Sequence, residues 1–165
     1  RKTAIVFAEA LSRLKVPYYI MGFTADMSAD ADHYHYVDWR GLKRDRQTLV
    51  TMEAMANNFD GYSIRYAANI LKEKAAGNKL LIVISDGEPC CNKYRSGHSA
   101  AISDTVNAIK DARRFCTTFG IAIGEYCSAN VLQSMYGKDF IHCKDENLLT
   151  NLLGKKLAKL MQRAK

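Results

Sequence analysis

The run Lys79 to Ser85 (KLLIVIS) is apolar at successive positions and is followed at once by Asp86 and Gly87. A strand with one wet face alternates apolar and polar residues. A strand that is apolar throughout is covered on both faces, as in a parallel sheet between two layers of helices. In an open α/β sheet, ligands bind outside the carboxyl ends of the strands. Asp86 therefore stands on the ligand-binding edge of whatever domain this chain forms.

The rest of the chain alternates in keeping with that reading. Thr3 to Leu14 has the apolar spacing of a helix (Ala4, Phe7, Ala8, Leu11, Leu14), and Pro17 stops it. Tyr18 to Phe23 reads as a strand, Thr24 to Asp32 as a loop, and His33 to Trp39 (HYHYVDW) as a short edge strand. Gln47 to Ala56 is expected to be a short helix. Asn57 to Gly61 (NNFDG) is turn chemistry. Ile64, Ala67, Ala68, Leu71 and Ala75 trace the next helix face, which Gly77 closes. Beyond Ser85, a loop to about Ser99 leads into a helix marked by Ile102, Val106, Ile109, Ala112 and Cys116. Gly120 to Tyr126 is a strand, Ala129 to Tyr136 a helix and Phe140 to Cys143 a last strand. Leu149 to Leu160 gives a closing amphipathic helix. Alternation of this kind predicts a doubly wound α/β domain with a mostly parallel sheet and helices on both faces. No repeat, linker or low-complexity tract divides residues 1–165, so one domain is expected.

Composition narrows the function. The chain has 165 residues, 48% hydrophobic and 25% charged, which suits one soluble domain with a proper core. No apolar run is long enough to span a membrane. The net charge is +7, but Lys and Arg are scattered and not interleaved with aromatics, which argues against nucleic acid. Five cysteines, Cys90, Cys91, Cys116, Cys127 and Cys143, match no zinc spacing and fit a reducing, cytoplasmic setting. The adjacent Cys90 and Cys91 fall in the loop after Asp86.

Two carboxylates occupy loops of the ligand edge. Asp86 lies in Ser-Asp-Gly-Glu-Pro and Asp60 in Asn-Asn-Phe-Asp-Gly, each with a glycine behind it. Carboxylates and hydroxyls converging on one point suit a hard cation such as Mg²⁺ or Mn²⁺. The plainer alternative is that each Asp caps a helix or a turn. His33 and His35 share one strand face without an evident third ligand, and read as surface edge positions. No G-x-G-x-x-G, Walker loop or G-x-S-x-G elbow occurs.

Leu80 to Pro89 (LLIVISDGEP) resembles the fourth strand and metal-site aspartate of von Willebrand factor A (VWA) domains. Asn58-Phe59-Asp60-Gly61 with Ile64, Arg65 and Ala67 resembles the N-x-D-G-x-x-I-R-x-A stretch of a bacterial branch. That branch holds the cobaltochelatase accessory subunit and the nitric oxide reductase activation proteins. Gly120 to Gly124, Met135-Tyr136-Gly137 and Phe140 resemble the later half of the same fold.

The resemblance implies a metal ion-dependent adhesion site with Asp86 as one ligand and Asp60 or Ser63 as another, although Tyr62 aligns near the usual threonine. Glu88, Asn58 and His98 would form a partner-binding rim. The family's Asp-x-Ser-x-Ser loop is not found, and Arg1 to Leu14 looks like the helix that should follow it. The expectation is thus an N-terminally truncated domain that lacks the first central strand, with Mg²⁺ or another divalent cation weakly bound or absent. The gap would be filled by a neighbouring chain or strand exchange, removed by rearrangement of the sheet, or closed by residues upstream. The function implied is protein interaction, not catalysis. A partner would supply an acidic residue; an AAA+ ATPase acting in metal insertion or complex activation, as in cobalamin biosynthesis, is the implied case. A Mg²⁺-dependent hydrolase, with Glu88 or His98 as base, and a VWA module that has lost its metal site are the alternatives.

Overall fold

The structure is a computed structural model and describes residues 1–25, 31–55, 57–94, 97–125 and 127–144. The closing helix expected over Leu149 to Leu160 lies outside the described residues. Helix α1 (Lys2–Arg13) leads into strand β1 (Ile20–Ala25), which pairs antiparallel with β2 (Ala31–Val37). Helix α2 (Lys43–Thr48), a short 3-10 turn (Leu49–Thr51) and α3 (Asp60–Lys72) follow. Then come β3 (Leu80–Ser85), α4 (His98–Ala112), β4 (Thr117–Ile123), α5 (Ala129–Tyr136) and β5 (Phe140–Cys143). Strands β3, β4 and β5 form a parallel sheet in that order.

The period-2 geometry of these strands explains the layers. Leu80, Ile82 and Ile84 pack with Phe119, Ile121 and Phe7 of α1 on one face. Leu81 and Val83 turn the other way, toward Ile64 of α3, Ala108 and Ile109 of α4, and Leu132 and Met135 of α5. Helix α1 also carries Ala4 and Ala8 against Tyr18, Val37 and Leu49, so it bridges the two sheet pieces. The doubly wound α/β class expected from the alternation is what forms.

The described sheet is split. β1 pairs only with β2, and β3 pairs among the described residues only with β4. No described strand lies between β1 and β3. Both strands run the same way. At one end Tyr19, Trp39 and Lys74 cluster near the start of β3. At the other, the Ala25 N–H donates to Asn57 O (2.6 Å) and the Asn58 N–H donates to Cys90 O (3.0 Å), so residues 57 and 58 tie the two pieces together at their carboxyl ends.

Several boundaries differ from the sequence reading. The first strand runs on through Thr24 and Ala25, because these pair with Asp32 and Ala31 where a loop was expected. The helix expected over Gln47 to Ala56 instead spans Lys43–Thr48 and the turn after it, with Leu49 its one buried residue, so apolar periodicity could not locate it. Cys116 falls beyond α4, which ends at Ala112.

Candidate functional site

Asp86 lies just past β3, where the sequence placed it, and is exposed. Its Oδ1 accepts the Glu88 N–H (3.0 Å), and Ser85 Oγ accepts the Gly87 N–H (3.0 Å). These two bonds fold the loop back on itself, as short polar side chains do at turns. Gly87 has φ +82°, and a Cβ there would overlap the Cys127 Sγ, so the turn needs glycine twice over. Cys127 is buried behind it and donates its S–H to Gly87 O (3.6 Å). Burial, then the charges of Glu88 and Asp86, push its thiol up to about 11.

Asp60 is not in a loop. It is the first residue of α3, only 2% exposed, and its Oδ2 has no hydrogen-bond partner. Burial and the neighbouring Asp86 charge push its carboxyl up to about 7. Desolvation and a like charge both disfavour the ionised form, and a backbone hydrogen bond at Asp60 offsets them only in part. A divalent cation between Asp60 and Asp86 would reverse both effects.

Ser63 is buried one turn further along α3, with its Oγ 3.2 Å from His33 Nε2 on β2. His33 stacks on Tyr66 with ring centroids 4.1 Å apart, and burial, then His35, holds its pKa below the usual value. The rim residues do come together. Asn58 Nδ2 donates to Glu88 O (3.3 Å), and the Glu88 carboxylate pairs with His98 Nε2 (3.2 Å) at the start of α4. Cys90 is exposed and Cys91 buried, and all five cysteines are free.

One network escaped the sequence reading. Asp104 on α4 accepts from Arg65 (2.6 Å) and from the Tyr94 hydroxyl (2.6 Å). Burial raises its pKa, but these two partners outweigh that and hold the carboxyl below the usual range. A Cβ at Gly61 would overlap the Asp104 carboxylate, so glycine beside Asp60 lets α3 and α4 close together. These contacts join residues far apart in sequence, and no local pattern signals them.

The donor set fits a hard cation in part. Asp60, Asp86 and the Ser63 hydroxyl are oxygen donors of the kind Mg²⁺ accepts while keeping several waters. The described residues contain no group of three or more His, Cys, Asp or Glu able to hold a metal by themselves.

A parallel sheet beside an antiparallel pair of strands, helices on both faces and an Asp at the end of an apolar strand define a VWA-type α/β domain. The sequence profile of the cobalamin biosynthesis protein CobT VWA domain matches residues 39–162, and the chain belongs to that family. It is similar to the Bacillus subtilis (strain 168) protein YojO, at 28% identity over 177 aligned residues. That alignment takes in 99% of this chain and 27% of YojO, so the chain spans about a quarter of the relative's length. Its fold is similar to that of the conserved hypothetical protein BatB from Bacteroides thetaiotaomicron, with a TM-score of 0.61 and 12% identity. The match covers 98% of this chain and 88% of BatB. No helix among the described residues is long and apolar enough to cross a membrane.

Proposed function

We propose that this domain is a protein-interaction module whose contact point is a hard divalent cation held at the carboxyl edge of the sheet. The observation that supports this most is the buried Asp60 carboxylate with its unpartnered Oδ2 beside Asp86. A buried carboxylate left this way is costly unless something positive comes to it. Asp60, Asp86 and Ser63 would hold the cation, and a partner's acidic side chain would complete its shell. Asn58, Glu88 and His98 would meet the partner around it. The partner we favour is an ATPase of the AAA+ type, and the joint task is metal insertion or activation of a complex. This rests on membership of a family described as cobalamin biosynthetic.

The test is binding of Mg²⁺ to the full polypeptide by calorimetry, followed by ATPase association in Mg²⁺ and in chelator. Asp86→Asn and Asp60→Asn should each lower cation affinity by at least tenfold and abolish the Mg²⁺-dependent part of association. Association that is equal in chelator would favour a second reading, a VWA module that binds partners without metal. Only two of the three donors, Asp60 and Asp86, are carboxylates, and no third His, Cys, Asp or Glu joins them among the described residues, which supports that reading.

A further inference from the structure

Lysines and arginines that are scattered along the sequence converge in the fold. Each helix between parallel strands runs back against them, so α3, α4 and α5 end where β3, β4 and β5 begin. That amino edge lies opposite Asp86. Lys72 and Lys74 close α3, Lys79 opens β3, Arg113 and Arg114 follow α4, and Lys138 precedes β5. All but the half-buried Lys79 are exposed. A depression of about 340 Å³ between residues 77–79 and 113–117 indents the edge, with Lys79, Arg113 and Arg114 in its wall. Glu73, Asp111 and Asp139 share this edge, and Asp111 and Asp139 approach Arg114 and Arg113 only to 3.4 and 3.8 Å. Positive charge is therefore in excess. Part of it serves the helix ends, since Lys79 Nζ donates to Lys72 O (2.9 Å) and Arg113 Nη2 to Tyr136 O (2.7 Å). Lys74, Arg114 and Lys138 lie past the last residues of α3, α4 and α5 and add charge beyond that need.

We infer that this amino edge is a second interaction surface, which takes an extended acidic segment of a partner protein. The cations follow a line across the sheet, from Lys74 beside Trp39 to Lys138 ahead of β5. At about 4.8 Å between neighbouring strands, that line is on the order of 20 Å long. An extended chain covers it in about six residues, and alternate carboxylates would fall on the side facing the sheet. The depression between β3 and β4 gives one such carboxylate a seat beside Lys79, Arg113 and Arg114. The rings on this edge argue for a peptide over a nucleic acid. Lys72 lies over Phe115 (5.8 Å) and Lys74 over Trp39 (4.9 Å), and Tyr19 packs against Trp39 as well. Those rings are thus already engaged, and single-stranded nucleic acid needs open ring faces for its bases. The surface lies at the end of the strands remote from Asp60 and Asp86, so it acts without the cation proposed there. The domain then has two poles, each drawing on a partner's carboxylates by different means.

The test uses the complete polypeptide at low salt with chelator present, and a fluorescent polyglutamate peptide of about ten residues as probe. Anisotropy should show saturable binding that weakens about tenfold or more when Lys74→Glu, Arg114→Glu and Lys138→Glu are combined. Combining Lys2→Glu, Lys93→Glu and Lys144→Glu makes the same charge change at the carboxyl edge, and should weaken binding less than about threefold. Equal losses in the two variants would reduce the effect to net charge and overturn the proposal, as would no saturable binding. A carbodiimide should couple the peptide to Lys72, Lys74 or Lys79 of the wild type in preference to Lys2, Lys93 or Lys144. A coupling map without that preference would overturn the proposal. So would coupling of the amino-edge lysines to a distant segment of the same chain without peptide, which would make the occupant internal. Tighter binding of a thymidine oligonucleotide of equal charge, lost in the amino-edge variant, would overturn it in favour of nucleic acid. If that variant loses its thermal transition it has unfolded, and the wild-type coupling map decides.

Discussion

Strands β3 and β4 are neighbours of similar apolar character but different fates. β4 is buried from Thr118 through Ala122, with a strand on each side. In β3 only Val83 is fully buried, and its other residues stay partly exposed, since among the described strands β3 pairs on one flank alone. Sequence apolarity thus records the cover on a strand's two faces and does not by itself report its neighbours in the sheet. The same contrast separates the two halves of the molecule. The β3–β4–β5 half has a closed core on the α4–α5 side, while the β1–β2 half is joined to it by α1, α3 and the Asn57–Asn58 bridges.

The largest effect should come from testing that contrast directly. Phe119→Ala should cost about 3–5 kcal/mol in urea unfolding, the usual loss for a fully buried aromatic. Ile82→Ala should cost about 1–2 kcal/mol, since its side chain is only partly removed from water. Equal losses would break the comparison. A loss at Ile82 that grows in the complete polypeptide would sharpen it.

The next test concerns the edge both halves share. The Asp60 carboxyl titrates at about 7 in the fold against 3.8 outside it. Well below pH 3.8 both states bind the proton and the group does not bear on stability; between about pH 4 and 7 the unfolded chain has ionised while the fold keeps its proton, so stability falls across that window and levels off above it. About 3 units at about 1.4 kcal/mol each bound this loss near 4 kcal/mol. Asp60→Asn should therefore raise the thermal midpoint at pH 8 without added cation and leave it nearly unchanged at pH 4. Added Mg²⁺ should raise the wild type and not the variant.

A smaller effect is expected between α3 and α4. Asp104 is held below its ordinary pKa, so its contribution is present above about pH 4 and is lost as pH falls through its folded value. Arg65→Gln should cost about 1 kcal/mol at neutral pH, because the pair is partly exposed, and should flatten the acid limb of the stability curve. The smallest effect is kinetic. Exposed Cys90 should react with a maleimide well before Cys127, whose thiol is buried and pushed up to about 11.

Much of the fold was legible because it rests on local periodicity. β5 and α5 fall where their spacing put them, and β3 begins one residue later than expected. The far ends of β1 and β2 were not legible, since Thr24 and Ala25 are strand residues only by virtue of Asp32 and Ala31 opposite them. At the candidate site, the position of Asp86 was readable from the apolar run before it. The burial of Asp60 was not, because Asn-Asn-Phe-Asp-Gly looks the same whether its carboxylate caps a turn or is buried at the start of α3. Nor could sequence tell that the Ser63 hydroxyl faces His33, a residue thirty positions away.

The Asn57–Asn58 bridges have a mechanical consequence. The bonds from Ala25 to Asn57 and from Asn58 to Cys90 act as two springs in series, and they sit beside Asp86 and Glu88. A load applied to the rim is therefore transmitted to both halves at once. Anything that grips Asn58 or Glu88 pulls the antiparallel pair and the parallel sheet against each other, so the carboxyl edge of the strands is also the seam along which the domain would stretch.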